Sequence, residues 1–195
     1  MRTASLTRTT KETDITASLT IDGGTGSEIS TGIGFFDHML ELFTKHGLFQ
    51  ISLACKGDVH VDDHHTIEDV GIVLGQLFAQ ALGDKSGIAR YGHAYVPMDE
   101  ALARCVIDLS GRACVVYRAE FARETVGGMS TEMIEHFFRS FGEQLKANIH
   151  LEVLYGSNGH HISEALFKSF GRALRIASDK DPRVEGVLST KGVLQ

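Results

Sequence analysis

Apolar residues recur at the three- and four-residue spacing of an amphipathic helix in three segments of the chain. Two of these segments, residues 67–81 and 162–176, each follow an adjacent pair of histidines. The third covers residues 133–145, where Ser130 or Thr131 is the candidate N-cap. The pattern predicts three helices, and two of them begin beside a histidine pair.

Segments rich in β-branched or alternating apolar residues separate the predicted helices. Residues 13–21 alternate and run into Asp22-Gly23-Gly24, which predicts a β-hairpin. The other predicted strands cover residues 49–54, 103–109, 114–121 and 149–154. Because strands and helices occur in both parts of the chain, we predict an α+β fold with small mixed β-sheets backed by helices.

Two motifs occur twice along the chain. Residues 64–68 and 160–164 both have the form H-H-x-x-E, and Asp37-His38 and Glu135-His136 are each followed by two apolar residues. The copies of both motifs are separated by about half the chain length, which indicates an internal duplication. We therefore predict two similar halves, residues 1–88 and 89–195, each built from one small sheet with its helices.

The H-H-x-x-E motif is suited to metal binding on a helix. Residues three or four apart share a helix face, so either histidine of a pair can bind a metal together with its glutamate. Adjacent residues point about 100° apart, so the two histidines of one pair are expected to serve different sites. Each metal is then expected to collect ligands from both repeats. Imidazole and carboxylate ligands without cysteine suit Mn, Fe, Ni or Zn.

Composition and charge exclude several classes of protein. The chain has 195 residues, of which 43% are hydrophobic, and a formal net charge of −6, which argues against disorder and against a nucleic-acid partner. No apolar run reaches the roughly 18 residues of a membrane span, and the first residues lack a signal-peptide core. The three cysteines have no metal or redox spacing. We therefore expect a cytoplasmic protein without a membrane partner.

The repeated motifs resemble those of the imidazoleglycerol-phosphate dehydratase family, lyases of histidine biosynthesis. The resemblance extends along nearly the whole chain, in segments that follow one another in the family's order. These segments cover residues 34–40, 62–69, 97–102, 108–112, 160–168 and 189–192. The resemblance implies helices sandwiched between two small sheets, and assembly into a particle of twenty-four chains with active sites at subunit interfaces.

The resemblance also implies two Mn²⁺ ions per active site, bound by ligands from different subunits. One ion would be bound by His38, His65, Glu68 and His161. The other ion would be bound by His64, His136, His160 and Glu164. Helix geometry agrees that neighbouring histidines do not share an ion, but it does not itself select these combinations.

The family reaction removes water from imidazole glycerol phosphate and yields imidazole acetol phosphate. The proton to be removed lies on a carbon with no carbonyl beside it, so enolate stabilisation is not available. Cations on the ring nitrogens would acidify the imidazole towards imidazolate, whose electrons can expel the hydroxyl through a diazafulvene-type intermediate. Glu12 matches the family's proposed general acid/base for the protons at the carbon chain.

The substrate phosphate requires cationic groups in a chain that is acidic overall. Arg90, Arg112, Ser189 and Lys191 match the family's phosphate contacts, and guanidinium groups suit phosphate oxygens. The second half is therefore expected to end in a phosphate-binding tail. Leu42 departs from the family pattern, because relatives often have glutamine at this position.

Two other functions are compatible with the histidine clusters taken alone. A metal-storage assembly would use the same histidines without catalysis and would need neither Glu12 nor the arginines. A dinuclear metallohydrolase would instead attack a phosphate ester with a metal-bound hydroxide. Loss of turnover in Glu12→Gln would argue against the first alternative, and ketone formation without phosphate release would argue against the second.

Overall fold

A computed structural model of the chain describes residues 1–24 and 26–194. The elements of the first half are β1 (Thr3–Thr9), β2 (Thr13–Thr20), β3 (Gly26–Ser30), α1 (Gly34–Gly47), β4 (Gln50–Gly57) and α2 (His64–Leu82). Those of the second half are β5 (Tyr91–Met98), β6 (Ala101–Asp108), β7 (Cys114–Arg118), β8 (Thr125–Val126), β9 (Met129–Ser130), α3 (Glu132–Leu145), β10 (Asn148–Tyr155) and α4 (Gly159–Ser178). None of the helices in the described residues is both long and apolar enough to traverse a bilayer.

The two four-stranded sheets have the same topology. Their strand orders are β1-β2-β4-β3 and β5-β6-β10-β7. In each sheet the first two neighbouring pairs are antiparallel and the last pair is parallel. The halves therefore repeat element for element, apart from the short β8–β9 hairpin of the second half. The predicted α+β fold of two similar halves is confirmed, whereas the exact division at residues 88 and 89 stays a prediction.

The helices lie between the two sheets and contact one another across the halves. α2 packs on β1, β2 and β4, and α4 packs on β5, β6 and β10. α2 also contacts α3, and α4 contacts α1. Gly75 and Gly171 make these crossings close, because an added Cβ would lie 2.5 Å from the carbonyl oxygens of Phe141 and Phe43, respectively. Both halves therefore use the same close helix contact.

Phenylalanine rings fill the space between the helices. Phe43 on α1 stacks on Phe170 of α4 with the ring centroids 5.2 Å apart, and Phe137 on α3 stacks on Phe167 of α4 at 5.3 Å. All four rings are buried. Aromatic packing of this kind fixes α1, α3 and α4 relative to one another, and with them the histidines that these helices carry.

The structure confirms the three predicted helices as α2, α3 and α4, and the predicted strands as β2, β4, β6, β7 and β10. The sequence analysis did not predict α1, which follows Ile33 without a capping side chain. It also missed β1, β3, β5 and the β8–β9 hairpin. β1, β3 and β5 lie at sheet edges and place few large apolar residues on the core, whereas the edge strand β7 has two adjacent valines and a tyrosine and was predicted.

The hairpin predicted after residues 13–21 is wrong. β2 pairs with β1 and β4, whereas β3 pairs with β4 in parallel orientation. Gly23 and Gly24 do adopt positive φ angles, but the chain that follows them does not return along β2. Thr25, which belongs to the predicted turn, lies outside the described residues.

Candidate metal centre and substrate cleft

Both histidine pairs lie in the first turn of a long helix. α2 begins at His64, and α4 begins one residue before His160. In each case the backbone amide of the first histidine donates to a side-chain oxygen two residues earlier, at 2.9 Å to Asp62 Oδ1 and 2.9 Å to Asn158 Oδ1. These bonds satisfy amides at the helix start, so both pairs occupy equivalent and well-defined places.

The first cluster, which we call trio 1, consists of His64, Glu68 and His136. Their ligand-type atoms all lie within 4.8 Å of one another. Nε2 of His136 is 3.2 Å from Oε1 of Glu68, and the rings of His64 and His136 are 4.5 Å apart between centroids. All three side chains are half-buried, so the cluster is open to a further ligand.

The second cluster, trio 2, consists of His38, His160 and Glu164. Nε2 of His38 and Nε2 of His160 lie 3.1 and 2.9 Å from the same Glu164 oxygen, and Lys168 donates to the other oxygen at 2.6 Å. Burial alone would raise the pKa of Glu164, but the hydrogen bonds from Lys168, His38 and His160 outweigh burial and lower this pKa to about 2. The carboxylate is therefore ionised at neutral pH, as metal binding requires.

Within one chain the ligands group differently from the division that the resemblance implies, and that division, which combines ligands of different subunits, stays a prediction. That division places Glu68 with His38, and Glu164 with His136, but the structure places each glutamate with the other histidine. The cause is helix packing, because α1 lies against α4 and α3 lies against α2. Each helix-borne histidine therefore faces the glutamate of the helix that it contacts, and each trio contains residues of both halves.

The donor chemistry of the trios fits a divalent transition metal. Each trio offers two imidazoles and one carboxylate, without a thiolate. Three donors leave positions free in a six-coordinate shell for a fourth protein ligand and a substrate atom. Trio 1 and trio 2 are therefore candidate metal centres.

The second histidine of each pair belongs to neither trio. Nδ1 of His65 is hydrogen-bonded to Asp58 at 3.0 Å, and Nδ1 of His161 is hydrogen-bonded to Glu100 at 2.7 Å. These carboxylates raise the pKa of both histidines above its usual range. A carboxylate on Nδ1 fixes the orientation of an imidazole and leaves Nε2 available as a ligand atom.

Glu12 lies in the turn between β1 and β2. Its amide donates to the Thr10 hydroxyl at 3.1 Å, and its carbonyl accepts from the Asp58 amide at 3.0 Å. The side chain is 52% exposed and lies 3.7 Å from Nε2 of His65. Within residues 1–24 and 26–194 its carboxylate takes part in no hydrogen bond, so it is free to exchange a proton with a ligand.

The residues predicted to bind phosphate come together in one cleft. Arg90, Arg112, Ser189 and Lys191 line it together with Thr190. Arg90 donates two hydrogen bonds to Asp108, of 2.7 Å from Nε and 3.1 Å from Nη2, and this carboxylate raises the pKa of the guanidinium further. The cleft thus holds three cationic side chains, which is a suitable arrangement for a phosphate.

Sequence reasoning missed the carboxylates and the lysine that hold the site in place. Asp58 and Glu100 fix His65 and His161, and Lys168 pairs with Glu164. Glu100 and Lys168 lie inside motifs that carry the family resemblance. Lys168 could have been found from sequence, because it lies four residues after Glu164 and therefore on the same helix face. Nothing in the sequence around Asp58 marks its contact, because a loop brings it to the histidine.

The fold and the site together define a duplicated α+β protein with two imidazole–carboxylate clusters and a cationic cleft. This is the arrangement of an enzyme that acts on a small anionic molecule. Comparison with known families makes the assignment specific. The family model for imidazoleglycerol-phosphate dehydratase matches residues 31–174, and the chain belongs to this family of hydro-lyases of histidine biosynthesis.

Individual relatives agree with this assignment over the full length of the chain. The imidazoleglycerol-phosphate dehydratase of Lacticaseibacillus casei is 58% identical over 194 residues, which is 100% of each chain. That of Acetivibrio thermocellus is 58% identical over 97% of each chain. The crystal structure of the Staphylococcus aureus enzyme matches with a TM-score of 0.84 and 41% identity, over 92% of this chain and 99% of that chain. A Pyrococcus furiosus enzyme in complex with (S)-C348 matches with a TM-score of 0.81 and 37% identity, over 97% and 100%.

Proposed function

We propose that this chain dehydrates imidazole glycerol phosphate to imidazole acetol phosphate, with two Mn²⁺ ions bound at each active site. The observation that carries the proposal is the pair of trios, each of which places two imidazoles and one carboxylate within 4.8 Å. The family assignment favours this reaction over metal storage and over phosphate-ester hydrolysis. The free thiols of Cys55, Cys105 and Cys114 agree with a location in the cytoplasm.

In this proposal, each trio is completed by a histidine from another subunit. His65 and His161 are the candidates, because both lie outside the trios of their own chain and have Nε2 available. Metal binding then joins subunits, in agreement with an assembly of twenty-four chains whose active sites lie at subunit interfaces. The eight ligands are His38, His64, His65, Glu68, His136, His160, His161 and Glu164.

When bound, the two Mn²⁺ ions would hold the ring nitrogens of the substrate and acidify its imidazole. Glu12 would transfer the proton at the carbon chain, because its carboxylate is exposed and lies 3.7 Å from the imidazole of His65. A substrate placed beside this imidazole is within reach of the carboxylate. Leu42, one helical turn after His38 on α1, packs partly against the core and offers a substrate no hydrogen bond.

The cleft lined by Arg90, Arg112, Ser189 and Lys191 would bind the substrate phosphate. Two guanidinium groups and one ammonium group provide charge-assisted hydrogen bonds, and the Ser189 hydroxyl provides one more donor. Because Asp108 already holds one edge of Arg90, the orientation of this side chain is set before the substrate arrives.

The proposal is tested by stripping the protein of metal, adding substrate and then adding Mn²⁺. Ketone formation, inorganic phosphate release, bound Mn²⁺ and particle size are followed together. We expect ketone formation and large particles to return in step as two Mn²⁺ bind per chain, without phosphate release. His150→Gln, which changes an exposed histidine outside both trios, should behave like the parent protein. Full turnover by metal-free, unassembled protein would overturn the proposal.

A further inference from the structure

A buried carboxylate on α2 has no part in either trio. Asp69 follows the trio residue Glu68, is only 5% exposed, and accepts two hydrogen bonds from Arg8 at 3.0 and 2.8 Å. Its other oxygen accepts a hydrogen bond of 2.5 Å from the buried hydroxyl of Thr13. The two partners lie on β1 and β2, so Asp69 ties both strands to the helix. We call this group the Asp69 clamp.

The Asp69 clamp lies directly beneath the turn that carries Glu12. Thr13 is the next residue after Glu12, and the amides of both residues donate to the Thr10 hydroxyl, at 3.1 and 3.0 Å. The Thr10 amide in turn donates to the Thr13 carbonyl at 2.8 Å. The backbone on both sides of Glu12 is thus connected to Thr13, and Thr13 is connected by its side chain to α2.

The equivalent positions of the second half contain no such clamp. Register places Arg8 opposite Ile15 and Val96 opposite Ala103, so Val96 corresponds to Arg8, and Ala101 corresponds to Thr13. The helix residue that corresponds to Asp69 is Ala165, which follows Glu164. Val96, Ala101 and Ala165 are all buried.

The comparison separates folding from positioning. The second half forms the same sheet and helix with apolar residues at all three positions, so this architecture does not require the clamp. A buried ion pair is often no more stabilising than well-packed apolar residues. What the clamp adds is a fixed distance between the Glu12 turn and the helix that carries His64 and Glu68.

We propose that Asp69, acting through Thr13, is a positioning residue that holds Glu12 at the correct place relative to the trio on α2. The proposal rests on the role of Glu12 in the proposed function. Displacement of a catalytic group by about 1 Å costs up to about 100-fold in rate, so loss of the clamp should reduce kcat and leave binding intact.

The test replaces the three residues of the Asp69 clamp with the apolar residues found at the equivalent positions of the second half. The triple variant is Arg8→Val, Thr13→Ala, Asp69→Ala. The Mn²⁺-loaded, assembled protein is assayed for kcat, KM, bound Mn²⁺, melting temperature and amide hydrogen exchange of residues 10–13. We expect kcat to fall about 10- to 100-fold with little change in KM or bound Mn²⁺, and exchange in the turn to become faster.

A pair of single variants keeps the test decisive even where the triple variant is unstable. Thr13→Val replaces the hydroxyl by a methyl group and should lower kcat. Thr13→Ser keeps the hydroxyl and should have the kcat of the parent protein. Thr16→Val makes the same change on the exposed face of β2 and is the matched control, with kcat unchanged.

The outcomes distinguish this proposal from the role of Glu12 itself. A low kcat in Glu12→Gln together with full kcat in the triple variant, or equal kcat in Thr13→Val and Thr13→Ser, would overturn the positioning role alone. Full kcat in Glu12→Gln would overturn the role of Glu12, and the positioning proposal with it.

Discussion

Glu12 and Glu100 occupy equivalent places in the two halves, since each is the residue immediately before the second strand of its sheet. Their surroundings differ. The Glu12 carboxylate has no hydrogen-bond partner in the described part of the chain, whereas Glu100 accepts hydrogen bonds from His161, Asn158 and Ser157, which lower its pKa to about 2. One backbone position therefore presents a free carboxylate in the first half and a structural one in the second.

The loop before each histidine pair explains this difference. In the first half, Asp58 follows β4 and holds Nδ1 of His65, so Glu12 is not needed there. In the second half, the loop of residues 156–158 between β10 and α4 contains no carboxylate that could reach His161. Glu100 instead binds Nδ1 of His161, as Asp58 binds Nδ1 of His65. Because it is held there, Glu100 is not a candidate for proton transfer.

Arg2 and Arg90 form a second pair of equivalent residues, and here the residue of the second half belongs to the proposed site. Arg2 and Arg90 each lie at the start of a sheet's first strand, and each forms a multiple hydrogen-bonded pair with an aspartate near the end of the second strand. Arg2, paired with Asp22, also donates to the Ser178 carbonyl and ties β1 to the end of α4. Arg90, paired with Asp108, donates to the Leu188 carbonyl at 2.8 Å in the same way, and it also lines the cationic cleft. The position is therefore structural in both halves, and only in the second half does it also face the proposed phosphate site.

The largest expected effect comes from exchanging the two glutamates for glutamine. Glu12→Gln should lower kcat by about 1,000-fold with metal binding and particle size unchanged, because general acid–base catalysis contributes factors of this order. Glu100→Gln should instead weaken Mn²⁺ binding by about tenfold, because it loosens a candidate metal ligand. Steady-state kinetics and Mn²⁺ titration check both. Similar effects of the two variants on kcat would contradict the distinction.

Exchange of the two arginines should separate substrate binding from stability. Arg90→Gln is expected to raise KM by about 10- to 50-fold, because a charge-assisted contact with phosphate is lost together with the links to Asp108 and Leu188. Arg2→Gln should leave KM unchanged and lower the denaturant midpoint, because it removes only the link to Asp22 and Ser178. A KM that rises equally in both variants would show that the cleft does not bind the phosphate.

The two trio glutamates should differ in their effect on the stability of the metal-free protein. Glu164 is buried with Lys168, so Glu164→Gln leaves a buried ammonium without its charge partner and should cost about 1–2 kcal/mol of unfolding free energy. Glu68 is 39% exposed and has no lysine partner in the described residues, so Glu68→Gln should cost less than about 0.5 kcal/mol. Denaturant unfolding in the presence of chelator measures both, and a larger cost for Glu68→Gln would contradict the burial argument.

The smallest expected effect is a pH dependence at the Arg2 pair. Hydrogen bonds from Arg2 hold the pKa of Asp22 below its ordinary value of 3.8. A carboxylate with a lowered folded-state pKa contributes stability above its unfolded pKa, and this contribution is lost as the pH falls through the folded value. Asp22→Asn should therefore destabilise the protein by up to about 1 kcal/mol near pH 6, and the destabilisation should be smaller near pH 3. A difference in urea midpoint that does not shrink between these pH values would argue against the pair.

Much of the site could be predicted from sequence because its information is local. The H-H-x-x-E motif places histidines and glutamate on one helix, and its repetition reveals the two halves without any tertiary contact. The partner of each motif could not be predicted in the same way, because it depends on α1 packing against α4 and α3 against α2. Close approaches at Gly75 and Gly171 determine those contacts, and no short motif reports them.

The supporting groups were missed for a related reason. Asp58, Glu100 and Asp69 act across loops or between sheet and helix, where sequence separation does not indicate contact. The edge strands β1, β3 and β5 were missed because their inward positions carry few large apolar residues: Ala4, Leu6 and Arg8 in β1, Ile29 in β3, and Gly92, Ala94 and Val96 in β5. The wrong hairpin after β2 arose because two glycines mark a turn but do not specify which strand follows.

The most direct test of the central claim is an anomalous difference map from crystals of the Mn²⁺-loaded, fully active protein. The account predicts two peaks per chain, one within His64, Glu68 and His136 and the other within His38, His160 and Glu164. Each peak should also lie next to Nε2 of a His65 or His161 from another subunit. Fully active crystals without manganese at either trio would contradict the account.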